Sequence, residues 1–211
     1  MPLDLPTLES RCRTHVAALA GDAAHDLAHI SRVVATARAL APLEHAPLDV
    51  VIPAAWLHDV VTVPKDSPLR PQGSRLAAAE AVRLLSAWGY PHELLPEVQH
   101  AIDAHSFTAG IAPRTPAARV LQDADRLDAL GAVGLARCLM LGATLGRPLY
   151  HPDDPFCEQR APNDAVSSLD HFYTKLLGLA ATMQTAAGRA EGERRTAVLH
   201  GFIEALRREI R

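Results

Sequence analysis

Apolar residues recur at helical spacing along almost the whole chain, and strand-like alternation is scarce. The segment 26–40 is representative: Leu27, Ile30, Val33, Val34 and Ala37 form one stripe, and Pro42 ends it. A chain patterned in this way has to bury helix faces against one another. Apolar residues make up 48% of the sequence but aromatics only 4%, so aliphatic and small side chains must fill the core. The pattern predicts an all-α protein of roughly eight helices. With 211 residues and no Gly/Ser or charge-run linker, it reads as a single domain over 1–211.

The first helix is expected over Leu5–Leu19, with Gly21 as its stop. The third spans 48–61, where Pro53 either begins the ordered helix or kinks it. After a Pro-rich loop over 64–73, Ser74 is placed to cap a helix that stops at Gly89. Further helices are expected over 91–107, 115–141, 168–185 and 189–208. The Pro- and charge-rich stretch 142–166 is too long for an ordinary connector and reads as a mobile lid.

The formal charge of -3 leaves no basic surplus for a nucleic-acid backbone, although a local basic pocket can still take a phosphorylated small molecule. Nowhere do about eighteen uncharged apolar residues follow one another. The N-terminus has no basic region leading into an apolar run, so no membrane span or leader is expected and the expected location is cytoplasmic. Cys12, Cys138 and Cys157 are odd in number and form no C-x-x-C pair, which argues against a disulfide framework and a thiolate zinc site.

Three fragments stand out: AHDLAHISRV around His29, WLHDV holding His58-Asp59, and QDADRLDALG around Asp125. Imidazole nitrogens and carboxylate oxygens suit a hard-to-borderline divalent cation. A lone His or Asp in a helix is usually solvated or structural, and Asp123, Asp125 and Asp128 have Arg119, Arg126 and Arg137 close in sequence to pair with. Yet His58-Asp59 follows the apolar run VVIPAAWL, where an unpaired carboxylate is costly, and Asp125 is framed by Val120, Leu121, Ala124 and Leu127. Asp123 and Asp128 compete with Asp125, Asp123 being expected behind the ligands or in solvent. A different pattern, His25-Asp26-Leu27-Ala28-His29, reads as H-D-x-x-H, two imidazoles one helical turn apart; it lacks the Glu base and third ligand of a metalloprotease.

Together these residues resemble the HD-domain metal-dependent phosphohydrolase superfamily, whose signature is H…HD…D on separate helices of an all-α fold. AHDLAHISRV, the HD at 58–59, AHSF at 104–107, QDADRLDALGAVGLAR and LDHFYTKLL are similar to the small bacterial subgroup of YedJ- and YpgQ-like HD hydrolases, over nearly the whole chain. The resemblance implies His29, His58, Asp59 and Asp125 as metal ligands, with His25 a neighbour at the pocket mouth. It implies Mn²⁺-dependent release of pyrophosphate from a nucleoside triphosphate by a metal-activated water. Mg²⁺, Fe²⁺, Co²⁺ and Ni²⁺ are the other ions such a site accepts.

A phosphomonoesterase or phosphodiesterase of the same fold, and a non-catalytic nucleotide- or metal-binding scaffold, are the alternative readings. The expected partner is a phosphorylated small molecule, a nucleotide first, and neither a nucleic-acid polymer nor a membrane; a homodimer stays open. Val60, Val61, Thr62 and Val63 stand where some HD hydrolases carry an acidic pair. The general base is therefore open among His105, Asp128 and Asp66, or absent where the metal alone activates the water. Charge on the transferring phosphoryl group calls for cations, and Lys65, Arg70, Arg75, Arg126 and Lys175 are the candidates.

Overall fold

The computed structural model describes residues 4–19, 27–63, 67–106 and 109–210. Among them the regular structure is helical throughout, as the periodicity requires, with nine α-helices and no strand. Met1–Asp125 and Arg126–Arg211 form two compact units.

The first unit contains α1 (Leu5–Leu19), α2 (Leu27–Leu40), α3 (Leu48–Leu57), α4 (Gly73–Ala87) and α5 (Leu95–His105) and most of α6 (Pro116–Leu127). Its hub is α3, which packs against α1, α2 and α5 and buries every residue from Val50 to Leu57. A helix apolar on all sides has no face to give to water, which is why the others surround it. Pro53 lies inside α3 and neither starts nor breaks it. Its missing N–H would have bonded the Asp49 carbonyl, and the Tyr90 hydroxyl donates to that oxygen instead, at 2.8 Å. Glu9 of α1 accepts from the Trp56 indole at 3.2 Å and from Arg38 at 2.6 Å, tying three helices together.

Two boundaries differ from the sequence reading in ways that matter for the site. The third helix ends at Leu57, short of Val61, so that His58 and Asp59 leave the most buried helix in a turn, with Val60 N–H on Leu57 O at 3.1 Å. Ser74 does not cap α4; it is buried, and its hydroxyl donates to the Asp103 carbonyl at 3.0 Å.

The single helix expected over 115–141 is two, α6 and α7 (Gly131–Thr144), which makes nine helices where roughly eight were expected. Gly131 takes a left-handed φ of 70°, and a Cβ on Gly134 would lie 2.1 Å from the carbonyl carbon of Ala129. Glycine alone fits both positions, and the helix breaks between them and Leu127.

The second unit contains α7, the short α8 (Asp170–Thr174), a 3-10 helix (Leu176–Thr182) and α9 (Ala186–Glu209). Thr185 caps α9 by accepting from Gly188 N–H at 2.9 Å. The helix expected over 168–185 is thus a short α-turn followed by 3-10 structure. In the stretch 142–166, α7 takes the first residues, and beyond it Asp154 accepts the backbone N–H groups of Glu158, Gln159 and Arg160 at 3.0, 2.9 and 3.1 Å. Arg160 in turn makes two 2.6 Å bonds to the fully buried Asp170, which also accepts from Ser167 and from Asn163 N–H. No single described helix is both long and apolar enough to cross a membrane.

Candidate metal centre

Four segments of the first unit converge on one point. His29, buried on the first turn of α2, points its Nε2 at Asp125 Oδ1, 3.4 Å away near the end of α6. His58 follows α3 and is fully buried; its Nε2 is 3.9 Å from Asp125 Oδ1 and 3.7 Å from Asp59 Oδ2. His105, the last residue of α5, brings its Nε2 within 3.7 Å of Asp59 Oδ1. The rings of His58 and His105 stand edge to face with centroids 5.0 Å apart, and those of His29 and His58 5.5 Å apart.

The imidazoles are oriented from behind. His58 Nδ1 lies 2.8 Å from Ala55 O, and His105 Nδ1 lies 2.6 Å from Ile102 O. A carbonyl oxygen only accepts, so each Nδ1 carries the proton and each Nε2 faces the carboxylates. A ring nitrogen aimed in this way at carboxylate oxygens is placed where a cation between them would be shared. His58 Nε2 is also a buried polar atom without a hydrogen-bond partner among the described residues. Such an atom is expensive unless it has a ligand.

Charge follows the same arrangement. Burial pushes the His58 imidazole below its ordinary range, more than Asp59 and Asp125 raise it. Burial also opposes protonation of His105, but Asp59 and Asp125 outweigh it and raise that group. Burial would raise Asp59 and Asp125, and the surrounding imidazoles hold both carboxylates below the usual range. Neutral imidazole and ionised carboxylate are the ligand forms a divalent ion needs. Two overlapping trios have donor atoms within 4.8 Å of one another: His29, His58 and Asp125, and His58, Asp59 and His105. His58 has a single free nitrogen and joins one ion at a time.

The other candidates have surroundings of their own. Asp128 is buried and paired with Arg137, and Arg126 donates to Thr182 O and Oγ1 at 2.6 and 3.0 Å, all within the second unit. Asp123 is fully buried, which overturns the solvated alternative for it. Arg70 donates to Val63 O at 2.7 Å, while Arg75 on α4 and Lys175 are exposed. His25, Lys65 and Asp66 lie outside the described residues. Of the H-D-x-x-H pattern, His29 turns its Nε2 to Asp125. Sequence reasoning passed over Gln122, a buried polar residue one turn before Asp125. Its signal was its place one helical turn before Asp125, beside Val120 and Leu121.

Helices that carry a His, a His-Asp pair and an Asp to one point define an HD-type hydrolase fold. The HD domain family profile matches residues 26–130, and the chain belongs to this family. It is 34% identical over 190 residues to YpgQ of Bacillus subtilis (strain 168), covering 88% of this chain and 84% of that protein. The crystal structure of Bacillus subtilis YpgQ in complex with ADP is similar with a TM-score of 0.73 at 33% identity, over 96% of this chain and 97% of that one. An HD-superfamily hydrolase from Bacillus thuringiensis gives a TM-score of 0.73 at 31% identity, over 96% and 98% of the two chains.

Proposed function

We propose that this protein is a metal-dependent nucleotide hydrolase that releases pyrophosphate from a nucleoside triphosphate, with Mn²⁺ as the first metal to try. The observation that carries the reading is His58: fully buried, fixed through Nδ1 on Ala55 O, and aiming an unpartnered Nε2 at two carboxylates. His29, His58, Asp59 and Asp125 would hold the ion. When bound, a divalent ion there supplies a Lewis acid that polarises a phosphoryl oxygen and makes a water more acidic.

The chain's own groups supply the rest. Ala55 O keeps His58 in one tautomer, and burial keeps its Nε2 unprotonated. Asp59 is half exposed, so the polar cluster opens to solvent on its side. His105 faces that carboxylate and is the described base candidate positioned to take a proton from an attacking water, receiving it at Nε2. Of the other base candidates, Asp128 is committed to Arg137. Arg75 and Lys65 remain substrate candidates for their charge, Arg126 and Lys175 also for their place in family-like fragments, and His25 on the resemblance. ADP in the YpgQ complex supports a nucleotide as the ligand class.

In the proposed reaction a water oxygen bonds to phosphorus, the anhydride between the α and β phosphates breaks, and monophosphate and pyrophosphate leave. A screen of nucleoside triphosphates with Mn²⁺, Mg²⁺, Fe²⁺, Co²⁺ and Ni²⁺, reading pyrophosphate and orthophosphate separately, tests it. Equal yields of monophosphate and pyrophosphate are expected. Orthophosphate alone from the triphosphates would mean cleavage of the β–γ anhydride instead. With nucleoside monophosphates and cyclic or diester nucleotides added to the screen, turnover of those alone would make the protein a phosphomonoesterase or a phosphodiesterase, and saturable binding without turnover a scaffold.

A further inference from the structure

Three successive carbonyls at the C-terminal end of α5 are each taken by a different side chain. Ile102 O meets the His105 ring at 2.6 Å, Asp103 O accepts from the Ser74 hydroxyl at 3.0 Å, and Ala104 O accepts from the Gln122 amide at 2.6 Å. The last carbonyls of a helix have no partner within the helix, and water normally takes them when they are exposed. Here Ser74 comes from the first turn of α4 and Gln122 from α6, and both are buried. The helix end fixed in this way presents His105, whose Nε2 is 3.7 Å from Asp59. Gln122 stands one turn before Asp125, so one side chain links the backbone that carries Asp125 to the backbone that carries His105.

We propose that Ser74 and Gln122 are positioning residues that hold His105 in register with Asp59 and Asp125. The Gln122 Oε1 is buried without a partner among the described residues, and an unsatisfied acceptor is a cost to the folded chain. An apolar side chain of similar shape avoids that cost but leaves Ala104 O without its donor, which only the amide supplies. Ser74, the second residue of α4, likewise turns its hydroxyl to the end of α5 and not to its own helix.

The inference rests on the role given to His105 in the proposed hydrolysis, and the experiment separates the two. Gln122→Met, Ser74→Ala and Ser74→Thr are made in the full chain, alone and combined with His105→Ala. Metal content, kcat, KM and the exchange-protected NMR signal of the His105 Nδ1 proton are measured. Gln122→Met and Ser74→Ala should each lower kcat by about tenfold to a hundredfold with KM and metal content unchanged, and should broaden or abolish the Nδ1 signal. Ser74→Thr, which keeps the hydroxyl, should restore both. In the His105→Ala background neither substitution should lower kcat further. An unchanged Nδ1 signal in both variants, or a loss of kcat that persists undiminished without His105, overturns the positioning role. Wild-type kcat in His105→Ala with the signal still lost in Gln122→Met upholds the positioning and overturns only the part assigned to His105 in the reaction.

Discussion

His58 and His105 are turned side by side toward the two oxygens of one carboxylate: each sets its Nδ1 on a carbonyl three residues back, and each brings its Nε2 within 3.7 Å of Asp59. Helix ends make this feasible. A histidine in or just beyond the last turn reaches back to a carbonyl of its own helix, leaving the far nitrogen free to face across the cleft. Asp59 and Asp125 then complete a polar point inside a bundle whose surroundings are aliphatic.

Metal content is expected to follow this geometry. The purified protein should show a saturable divalent-ion site, and binding should raise its Tm because the folded state alone assembles the donors. His58→Ala should lose the ion, whereas His25→Ala should keep it. Elemental analysis of the two variants decides: retention by His58→Ala with loss by His25→Ala would favour the H-D-x-x-H arrangement.

Asp125→Asn should lose metal and turnover together, because the amide keeps the shape but not the negative charge. Asp123→Asn should keep the metal and lower Tm, since Asp123 is fully buried. Asp128→Asn is expected to behave like Asp123→Asn, as its carboxylate is committed to Arg137. If Asp128→Asn instead keeps both metal and Tm but loses turnover, Asp128 takes the base role in place of His105.

His29, the His58-Asp59 pair and the aspartates of α6 were legible as candidates for a chemical reason, since such groups are costly in apolar surroundings and Ile30, Leu57 and Ala124 announce those surroundings. The choice of Asp125 over Asp123 and Asp128 came from the resemblance to HD hydrolases. What escaped depends on partners distant in sequence. Pro53 is tolerated because Tyr90 reaches Asp49 O, 41 residues away, and nothing local in either residue says so. Ser74 looks like a cap because capping is what serines do near helix starts, and only the packing of α4 on α5 redirects its hydroxyl. Gly131 and Gly134 were visible, but a glycine inside an apolar helical pattern is often tolerated, and the close approach to Ala129 that forbids a side chain is a property of the folded backbone.

Asp170 gives the second unit a pH dependence of definite sign. Burial would raise its carboxyl, but Arg160, Ser167 and Asn163 N–H outweigh that and hold it well below the ordinary carboxylate range. A depressed folded-state value means that the stabilisation is fully present above the unfolded carboxylate value, about 4, and fades as pH falls through the folded one. Asp170→Asn should therefore be less stable than wild type near neutrality, with the gap in Tm narrowing below about pH 4. A gap that stays constant from neutral to acid pH would mean that packing, not the Arg160–Asp170 charge pair, sets the difference.

The stretch 142–166 is where the proposed nucleotide should leave its mark on dynamics. Apart from the end of α7 it has no regular structure, and its Pro and Asp residues offer few apolar anchors. Its order comes from hydrogen bonds at a few points, the Asp154 carboxylate and the Arg160–Asp170 pair chief among them. Segments held in this way open locally more readily than packed helices, so amide exchange over 145–166 should be faster than in α3 or α9 without ligand. A metal and a non-hydrolysable nucleoside triphosphate should slow exchange there if the stretch acts as a lid. Asp154→Asn, which weakens the turn at Glu158 to Arg160, should speed exchange without nucleotide while leaving metal content unchanged. Equal protection with and without nucleotide would remove the lid and leave the metal centre untouched.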